Sequence, residues 1–273
     1  MKLNSIIILC LFNFSLFAQN IVDGITKDSE TKKPIPYVNI GIVKKNFGTV
    51  SDSVGKFNLN FPSTLEKDTI RLSSIGYQTK SILVKDFLLS LKMNSIVELL
   101  PDITKLREVV VTNKKLKEEI IGTRTKSKKF GNGFSNAALG CEFGSKIKIK
   151  HSPIYIKKFH ANVNSNTSQR TKFRLNFYNI KDGLPNEKIV DENIIFTIGV
   201  KQGKFILDLE EYNIIVEENF YCTIELVESQ KRGEEIFFSA KFLGRTTGYR
   251  WTSQAEWQKT GKVGVGFHYT IKY

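Results

Sequence analysis

Pro34-Ile35-Pro36-Tyr37-Val38-Asn39-Ile40 opens a series of short β-prone segments that turn residues separate at close spacing. It leads into Gly48-Thr49-Val50-Ser51-Asp52-Ser53-Val54-Gly55-Lys56-Phe57, where the segment from Asp52 to Gly55 is typical of a turn. Phe57, Leu59 and Phe61 then alternate with polar residues, which indicates a strand with one buried face. No run from Ile21 to Tyr77 has the length and period of a stable helix. The sequence therefore predicts a compact β-domain over residues 19–100.

The motifs of this domain resemble those of a known family. Gly24, the segment Pro34 to Ile40, Gly48 to Asp52, Gly55-Lys56-Phe57 and Ser74-Ile75-Gly76-Tyr77 follow the order seen in the carboxypeptidase-regulatory-like domain. That resemblance implies a small transthyretin-like β-sandwich, common in exported proteins of Bacteroidetes and at the front of their TonB-dependent receptors. It implies no reaction, because the family is named after a non-catalytic companion of metallocarboxypeptidases.

Residues 101–135 are predicted to be a strand followed by a basic linker. Val109-Val110-Val111-Thr112 is similar to the TonB box of those receptors, a segment that adds a strand to the edge of a partner's sheet. The alternative is a closing strand of the first domain. The lysine-rich stretch that follows contains Gly122, Gly131 and Gly133, so we expect a solvated linker with one short turn over 116–121.

Residues 136–273 contain successive strand-like runs with turn residues between them, which predicts a second and larger β-sandwich domain of jelly-roll-like type. The fold class is therefore all-β, with two β-sandwich domains. The tail from Val263 to Tyr273 alternates apolar and small or polar residues and ends on an aromatic, as outer-membrane strands do. A small outer-membrane β-barrel is the alternative for this half.

The second domain also contains the candidate ligand-binding aromatics. Tyr249, Trp251 and Trp257 are close enough in sequence to form a platform on which a sugar ring stacks. The alternative is that they are core and rim aromatics of a sandwich.

The first 18 residues predict export. One lysine, Lys2, precedes an apolar run from Ile6 to Phe17 that is too short to span a bilayer, and Ala18 is a small residue suited to signal-peptidase cleavage. Cys10 lacks the small preceding residue of a lipoprotein cleavage site. No later run is long and apolar enough for a membrane helix, so we expect no transmembrane helix after cleavage. The predicted location is the periplasm, the outer membrane or the cell surface.

The chain has a formal net charge of +14. Lysine supplies most of this charge, whereas phosphate recognition favours arginine forks, and export also argues against a nucleic-acid partner. An envelope protein or a polysaccharide is the expected partner.

No known catalytic motif is found. His151, His160 and His268 do not form the His-x-x-Glu pair of a zinc carboxypeptidase, and no Gly-x-Ser-x-Gly elbow occurs. We therefore predict no enzyme activity, no catalytic residues, no cofactor and no metal. Whether Cys141 and Cys222 form a disulfide stays open at this point. The sequence predicts a non-enzymatic exported cell-envelope protein, a binding or structural module for a protein or glycan. The alternative is an outer-membrane accessory to a TonB-dependent transport system.

Overall fold

The structure is a computed structural model, and it describes residues 19–102, 116–168, 170–229, 233–243 and 246–273. Both halves of the described chain consist of packed β-sheets, so the all-β prediction is confirmed.

The N-terminal domain pairs a three-stranded sheet, order β4-β1-β7, with a four-stranded sheet, order β3-β2-β5-β6. Its strands and helix are β1 (Gln19–Asp28), β2 (Asn39–Ile42), β3 (Gly48–Val50), β4 (Lys56–Pro62), β5 (Thr69–Ser73), β6 (Lys80–Leu83), α1 (Val84–Met93) and β7 (Ile96–Leu99), with a short 3-10 turn at Ser63–Leu65. Phe57, Leu59 and Phe61 of β4 face the core, as their alternation predicts. The carboxylate of Asp52 accepts hydrogen bonds from the backbone N–H groups of Val54 (2.9 Å) and Lys56 (2.8 Å), which fixes the predicted turn.

One element of this domain was not expected from the sequence. The segment after β6 forms the helix α1, which buries only Val84 and Phe87 and leaves its other apolar side chains partly or largely exposed. Two buried positions three residues apart give a weak helical signal, and β-prone residues on either side mask it.

The C-terminal domain has two larger sheets. Its strands are β8 (Glu118–Gly122), β9 (Gly131–Ser135), β10 (Glu142–Ile147), β11 (Ile154–Asn166), β12 (Lys172–Lys181), β13 (Leu184–Lys188), β14 (Ile194–Thr197), β15 (Gly203–Asp208), β16 (Ile215–Val216), β17 (Phe220–Glu228), β18 (Glu235–Phe242), β19 (Thr247–Arg250), β20 (Gln258–Lys259), β21 (Val263–Val265) and β22 (His268–Lys272), with a 3-10 turn at Glu210–Tyr212. One sheet has the path β13-β12-β17-β10-β19-β20 and the other the path β21-β18-β11-β22-β8. Phenylalanines from both sheets, among them Phe143, Phe159, Phe173 and Phe267, fill the core between them.

The second domain begins earlier than the sequence suggested. Residues 118–122, which include most of the 116–121 stretch expected to be a turn, pair with β22, and residues 131–135 pair with β18. Glycine had suggested a linker, but Gly133 lies within β9 and allows close approach of the neighbouring strand, since a Cβ at this position would collide with the backbone of Ile236. The part of residues 101–135 that forms these two strands is therefore sheet, not linker.

Candidate functional site: a cleft between the two domains

Four charged side chains lie in a row across one sheet of the C-terminal domain. In the strand register Arg174 of β12 is opposite Glu225 of β17, Glu225 is opposite Glu142 of β10, and Glu142 is opposite Arg250 of β19. We call these four residues the charge row. All four are buried, Arg174 at 2% and both glutamates at 0% exposure. This face of the sheet is therefore covered, and what covers it is the N-terminal domain.

Arg174 joins the two domains. Its guanidinium donates to the carboxylate of Glu225 (3.2 Å) and to the Oδ1 of Asn193 (2.8 Å) within its own domain. It also donates to the side-chain oxygen of Asn39 and to the backbone carbonyl of Tyr37 in the N-terminal domain. Asn39 in turn donates its amide N–H to Glu225. Two residues of the Pro34 to Ile40 motif therefore contact a buried ion pair of the second domain.

The other half of the charge row lies within the C-terminal domain. Arg250 donates to one carboxylate oxygen of Glu142 through Nε (2.9 Å) and a terminal nitrogen (2.6 Å). The hydroxyl of Tyr178 (3.0 Å) and the amide of Asn176 (2.8 Å) also donate to Glu142. Asn176 donates to Glu225 as well (3.0 Å), so its amide bridges the two adjacent carboxylates. These donors offset the cost of burying two neighbouring carboxylates.

The pKa of Glu225 reflects this balance. Burial raises the pKa of the carboxyl, but Arg174, Lys188 and Arg250 lower it more, and the net effect holds it well below its ordinary value. Burial and the neighbouring Glu142 raise the pKa of the Tyr178 hydroxyl well above its ordinary value, so this group remains a hydrogen-bond donor. Both carboxylates of the row are thus paired with an arginine and accept further hydrogen bonds from neutral donors.

Two glycines allow the domains to approach closely. A Cβ on Gly41 or Gly48 would collide with the backbone carbonyl of Ser253. The Thr252 hydroxyl donates to the carbonyl of Gly48 (2.7 Å), and the Gln254 amide donates to the Ser73 hydroxyl (2.9 Å). A loop of the second domain therefore lies directly against strands of the first.

A cleft of about 420 Å³ opens beside this contact. Its N-terminal wall includes Ser73 and the Ser74-Ile75-Gly76-Tyr77 motif, and its other wall comes from the C-terminal domain. The further lining residues are Asn39, Arg71, Thr79, Asp102, Tyr178, Asn186, Glu187, Lys188, Val190, Asp191, Arg250 and Gln254. The volume is within the usual range for a small-ligand site. The motif that suggested a fold in the sequence thus forms one side of a cavity.

Lys188 is the unusual residue of this cleft. It ends β13, lies opposite Tyr178 in register, and is only partly exposed. Within the described part of the chain its ammonium group has neither a hydrogen-bond acceptor nor a carboxylate within 4 Å. Burial, and after it the positive charge of Arg174, lowers the pKa of Lys188 to about 8. The group is still mainly protonated at pH 7, and it adds a positive charge to a floor on which the two arginines already balance the two glutamates.

The structure also places the aromatic residues singled out in the sequence. Tyr249 and Trp251 contact each other with nearly perpendicular rings, at 5.4 Å between centroids and 77°. Trp257 lies elsewhere in this loop, over the guanidinium of Arg250 (4.9 Å) and edge-on to Tyr178 (5.5 Å). Tyr178 and Arg250 line the cleft, so Trp257 contacts two of its lining residues. A sugar platform made by Tyr249, Trp251 and Trp257 stays a prediction.

The other residues singled out in the sequence are the candidate partner strand, the two cysteines and the histidines. The candidate partner strand Val109, Val110, Val111 and Thr112 lies outside the described residues. Cys141 and Cys222 are buried free thiols, and burial raises the pKa of Cys141 to about 12. In the described ranges no cluster of three or more His, Cys, Asp or Glu side chains could hold a metal ion. No helix of these ranges has the length and apolar character that crossing a bilayer requires.

Sequence reasoning missed the charge row and Lys188. The available signal was the alternation in Lys172-Phe173-Arg174-Leu175-Asn176-Phe177, which gives a polar face to β12, together with a lone Glu225 inside an apolar strand. A polar face normally indicates solvent. Here the polar face contacts the other domain, and the sequence pattern is the same whether such a face contacts water or a second domain.

Comparison with known proteins supports the predicted family resemblance of the first domain. Residues 22–111 match the family model of the CarboxypepD_reg-like domain, so the resemblance seen in the motifs is confirmed for that region, about a third of the chain. This is a β-domain that is typically a non-catalytic module. No curated protein matches the chain.

Two structures of infectious bursal disease virus, of the Gt and Gx strains, are similar at low level. Each is 9% identical over 93% of this chain, with TM-scores of 0.28 and 0.25. The chain spans less than two thirds of either viral chain, 62% and 61%. At these TM-scores the likeness carries no argument about fold or function.

Proposed function

We propose that this chain is an exported, non-enzymatic protein of the cell envelope that binds a carboxylate-bearing saccharide in the cleft between its two domains. The observation that carries the proposal is Lys188. Its ammonium faces a cavity, has no partner among the described residues, and stands beside two arginine–glutamate pairs that already balance each other. Lys188 is partly exposed but loses much of its hydration in this position, and a cation so placed without a carboxylate partner favours a bound anion.

The remainder of the cleft favours a sugar over a simple anion. Ser74 and Asn186 offer a hydroxyl and an amide at its walls. Such side chains satisfy the alternating donors and acceptors of sugar hydroxyls.

Three exposed carboxylates, Asp102, Glu187 and Asp191, also line the cleft. Carboxylates accept hydrogen bonds from hydroxyl groups but repel a ligand with many negative charges. A saccharide with one carboxylate and several hydroxyls fits this distribution better than a polyanion does.

The test is calorimetric titration of the protein with a glucuronate-containing oligosaccharide and, in parallel, with the matched neutral glucose oligosaccharide. We expect binding of the acidic sugar only, weakened at least about tenfold in Lys188→Met, since a charge-assisted hydrogen bond contributes roughly 1.5–3 kcal/mol. Lys188→Arg should retain part of the affinity because it keeps the charge. Two results would refute the assignment: equal binding of the acidic and the neutral sugar, or binding of the acidic sugar by Lys188→Met as tight as by the unchanged protein.

A control separates this site from the aromatic one. Trp251→Ala removes a largely exposed side chain that does not line the cleft. If the sugar binds in the cleft, this variant titrates like the unchanged protein. A loss in Trp251→Ala with none in Lys188→Met would instead place the sugar on the Tyr249 and Trp251 surface.

Export is the second part of the proposal, and it is supported by the charged and apolar pattern of Met1 to Ala18. The expected mature N-terminus is Gln19, which is also where β1 begins. Mass spectrometry of the protein recovered from fractionated cells tests this. A cytoplasmic protein that retains Met1 or Lys2 would contradict export.

A further inference from the structure

An exposed apolar tip lies at one edge of the C-terminal domain, far in sequence from the cleft residues of β12 and β13. It consists of Phe130, just before β9, and Phe242 and Leu243, at the end of β18. The rings of Phe130 and Phe242 stack at 5.7 Å between centroids and 19°. Their exposures are 47% and 53%, and that of Leu243 is 68%. We call these three residues the phenylalanine tip.

The sheet holds this tip in place. β9 pairs with β18, and the N–H of Ala240 donates to the carbonyl of Phe130 (2.9 Å), which sets the two phenylalanines side by side. On its other edge β18 pairs with β21, where Val263 is opposite Phe242. Stacked aromatics that stay half exposed on paired strands form a preformed apolar surface, whose cost in water is relieved when it is covered.

Lysines adjoin the tip residues in sequence. Lys128 and Lys129 precede Phe130, Lys241 precedes Phe242, and Lys262 precedes Val263. All four are exposed, and within the described ranges none has a carboxylate within 4 Å.

The sequence around the tip also lacks acidic residues. Residues 123–135, 236–255 and 257–273, which include all of β9 and β21 and all of β18 except its first residue, Glu235, contain no Asp or Glu. The charged residues next to the tip in sequence are therefore all basic.

We infer that the phenylalanine tip docks this protein onto an anionic lipid surface. Aromatic and leucine side chains partition into the boundary between headgroups and acyl chains, and lysines around them gain energy from a negative leaflet. Charge decides against a second copy of this chain as the occupant, because a tip-to-tip contact would bring together two sets of unpaired lysines. The inference is independent of the cleft and of its ligand.

The helix α1 provides a matched comparison within the same molecule. It also exposes apolar side chains, Leu89 at 58% and Met93 at 90%. However, carboxylates stand among its lysines, with Asp23 and Glu66 lining the same depression as Lys85 and Lys92. An anionic surface should therefore engage the tip and not this helix.

The experiment is flotation of the full chain with vesicles of phosphatidylcholine containing phosphatidylglycerol, and with vesicles of phosphatidylcholine alone. We expect binding to the anionic vesicles only, weaker at high salt. Phe242→Ser should weaken it about tenfold, as loss of one phenylalanine anchor predicts. Lys129→Gln and Lys241→Gln should each weaken it about fivefold. Phe242→Trp should bind at least as well as the unchanged chain.

The control is Leu89→Ser with Met93→Ser, which removes as much exposed apolar surface from α1. All variants share residues 1–18, so any contribution of that apolar stretch is common to them. Three results would overturn the inference: no preference for anionic vesicles, equal binding by the tip and helix variants, or a concentration-dependent dimer in the absence of lipid that Phe242→Ser abolishes. The last would show that a second copy covers the tip.

Discussion

Replacing Arg174 by Met tests whether the charge row holds the two domains together. Arg174 is buried and makes four hydrogen-bonding contacts, two in each domain. The change leaves Glu225 without its paired cation and removes the donor that the Tyr37 carbonyl accepts. Breaking one partner of a buried ion pair costs about 3–5 kcal/mol of unfolding free energy. Met has similar length and no charge, so the loss is electrostatic more than steric.

Urea unfolding at pH 7, followed by tryptophan fluorescence, measures this loss. Both tryptophans lie in the C-terminal domain, next to the interface loop. Lys172→Met is the control, because the Lys172–Glu228 pair (3.1 Å) is also at the interface but partly exposed and is expected to contribute no more than about 1 kcal/mol. Equal, small losses in Arg174→Met and Lys172→Met would show that the charge row does not stabilise the fold.

The pH dependence gives an independent check. The folded pKa of Glu225 is depressed, so its contribution is complete above the ordinary glutamate pKa of about 4.3 and is lost as the pH falls toward the folded pKa. Arg174→Met removes the cation that lowers the pKa of Glu225 most. The folded pKa of Glu225 therefore rises, and the variant loses less stability than the unchanged chain as the pH falls. A variant whose stability falls with acid as steeply as the unchanged chain would refute the assigned pairing.

Three further predictions follow from single residues. Lys188→Met should raise the unfolding free energy at pH 7 and remove the increase in stability that the unchanged chain gains from pH 8 to pH 10. The reason is that a lysine whose pKa is lowered in the folded state binds fewer protons there than in the unfolded chain over this pH range. Urea titrations at pH 8 and pH 10 measure the increase, and an equal increase in the variant would contradict the assignment. Gly48→Ala should cost more than about 2 kcal/mol by collision with Ser253, whereas Gly199→Ala, which meets nothing within 4 Å, should stay within about 0.5 kcal/mol in the same assay. Cys141 and Cys222 should react with a thiol reagent only after unfolding, since both are buried and burial raises the pKa of each; rapid labelling of the native chain would show that they are accessible.

The first domain was predictable because local patterns determine it. Alternation in β4 and the turn at Asp52 depend on neighbours in sequence, and the structure confirms them. The sequence did not predict helix α1, because only Val84 and Phe87 are buried and two positions are too few to define a helical period. The strands β8 and β9 were missed because their glycines and the lysines that flank them give this stretch the composition of a linker.

The cleft could not be predicted from the sequence for a different reason. Arg174, Glu225, Glu142 and Arg250 come from four strands that are distant in sequence, and only the register of the sheet brings them into one row. No spacing rule connects them. Lys188 is one lysine among many until the structure shows that its neighbours leave it without a carboxylate.

The motif from Pro34 to Gly48 has two roles that the structure separates. Val38 and Ile40 are fully buried and belong to the core of the first domain. Tyr37, Asn39 and Gly48 do something else: their backbone and side chains meet Arg174, Glu225 and Thr252 of the second domain. A motif that serves only the core would tolerate Leu in place of Asn39. Here that change would remove one of the two acceptors of a terminal nitrogen of Arg174 and the amide that donates to Oε1 of Glu225, so the identity of Asn39 is set by the neighbouring domain and not by its own.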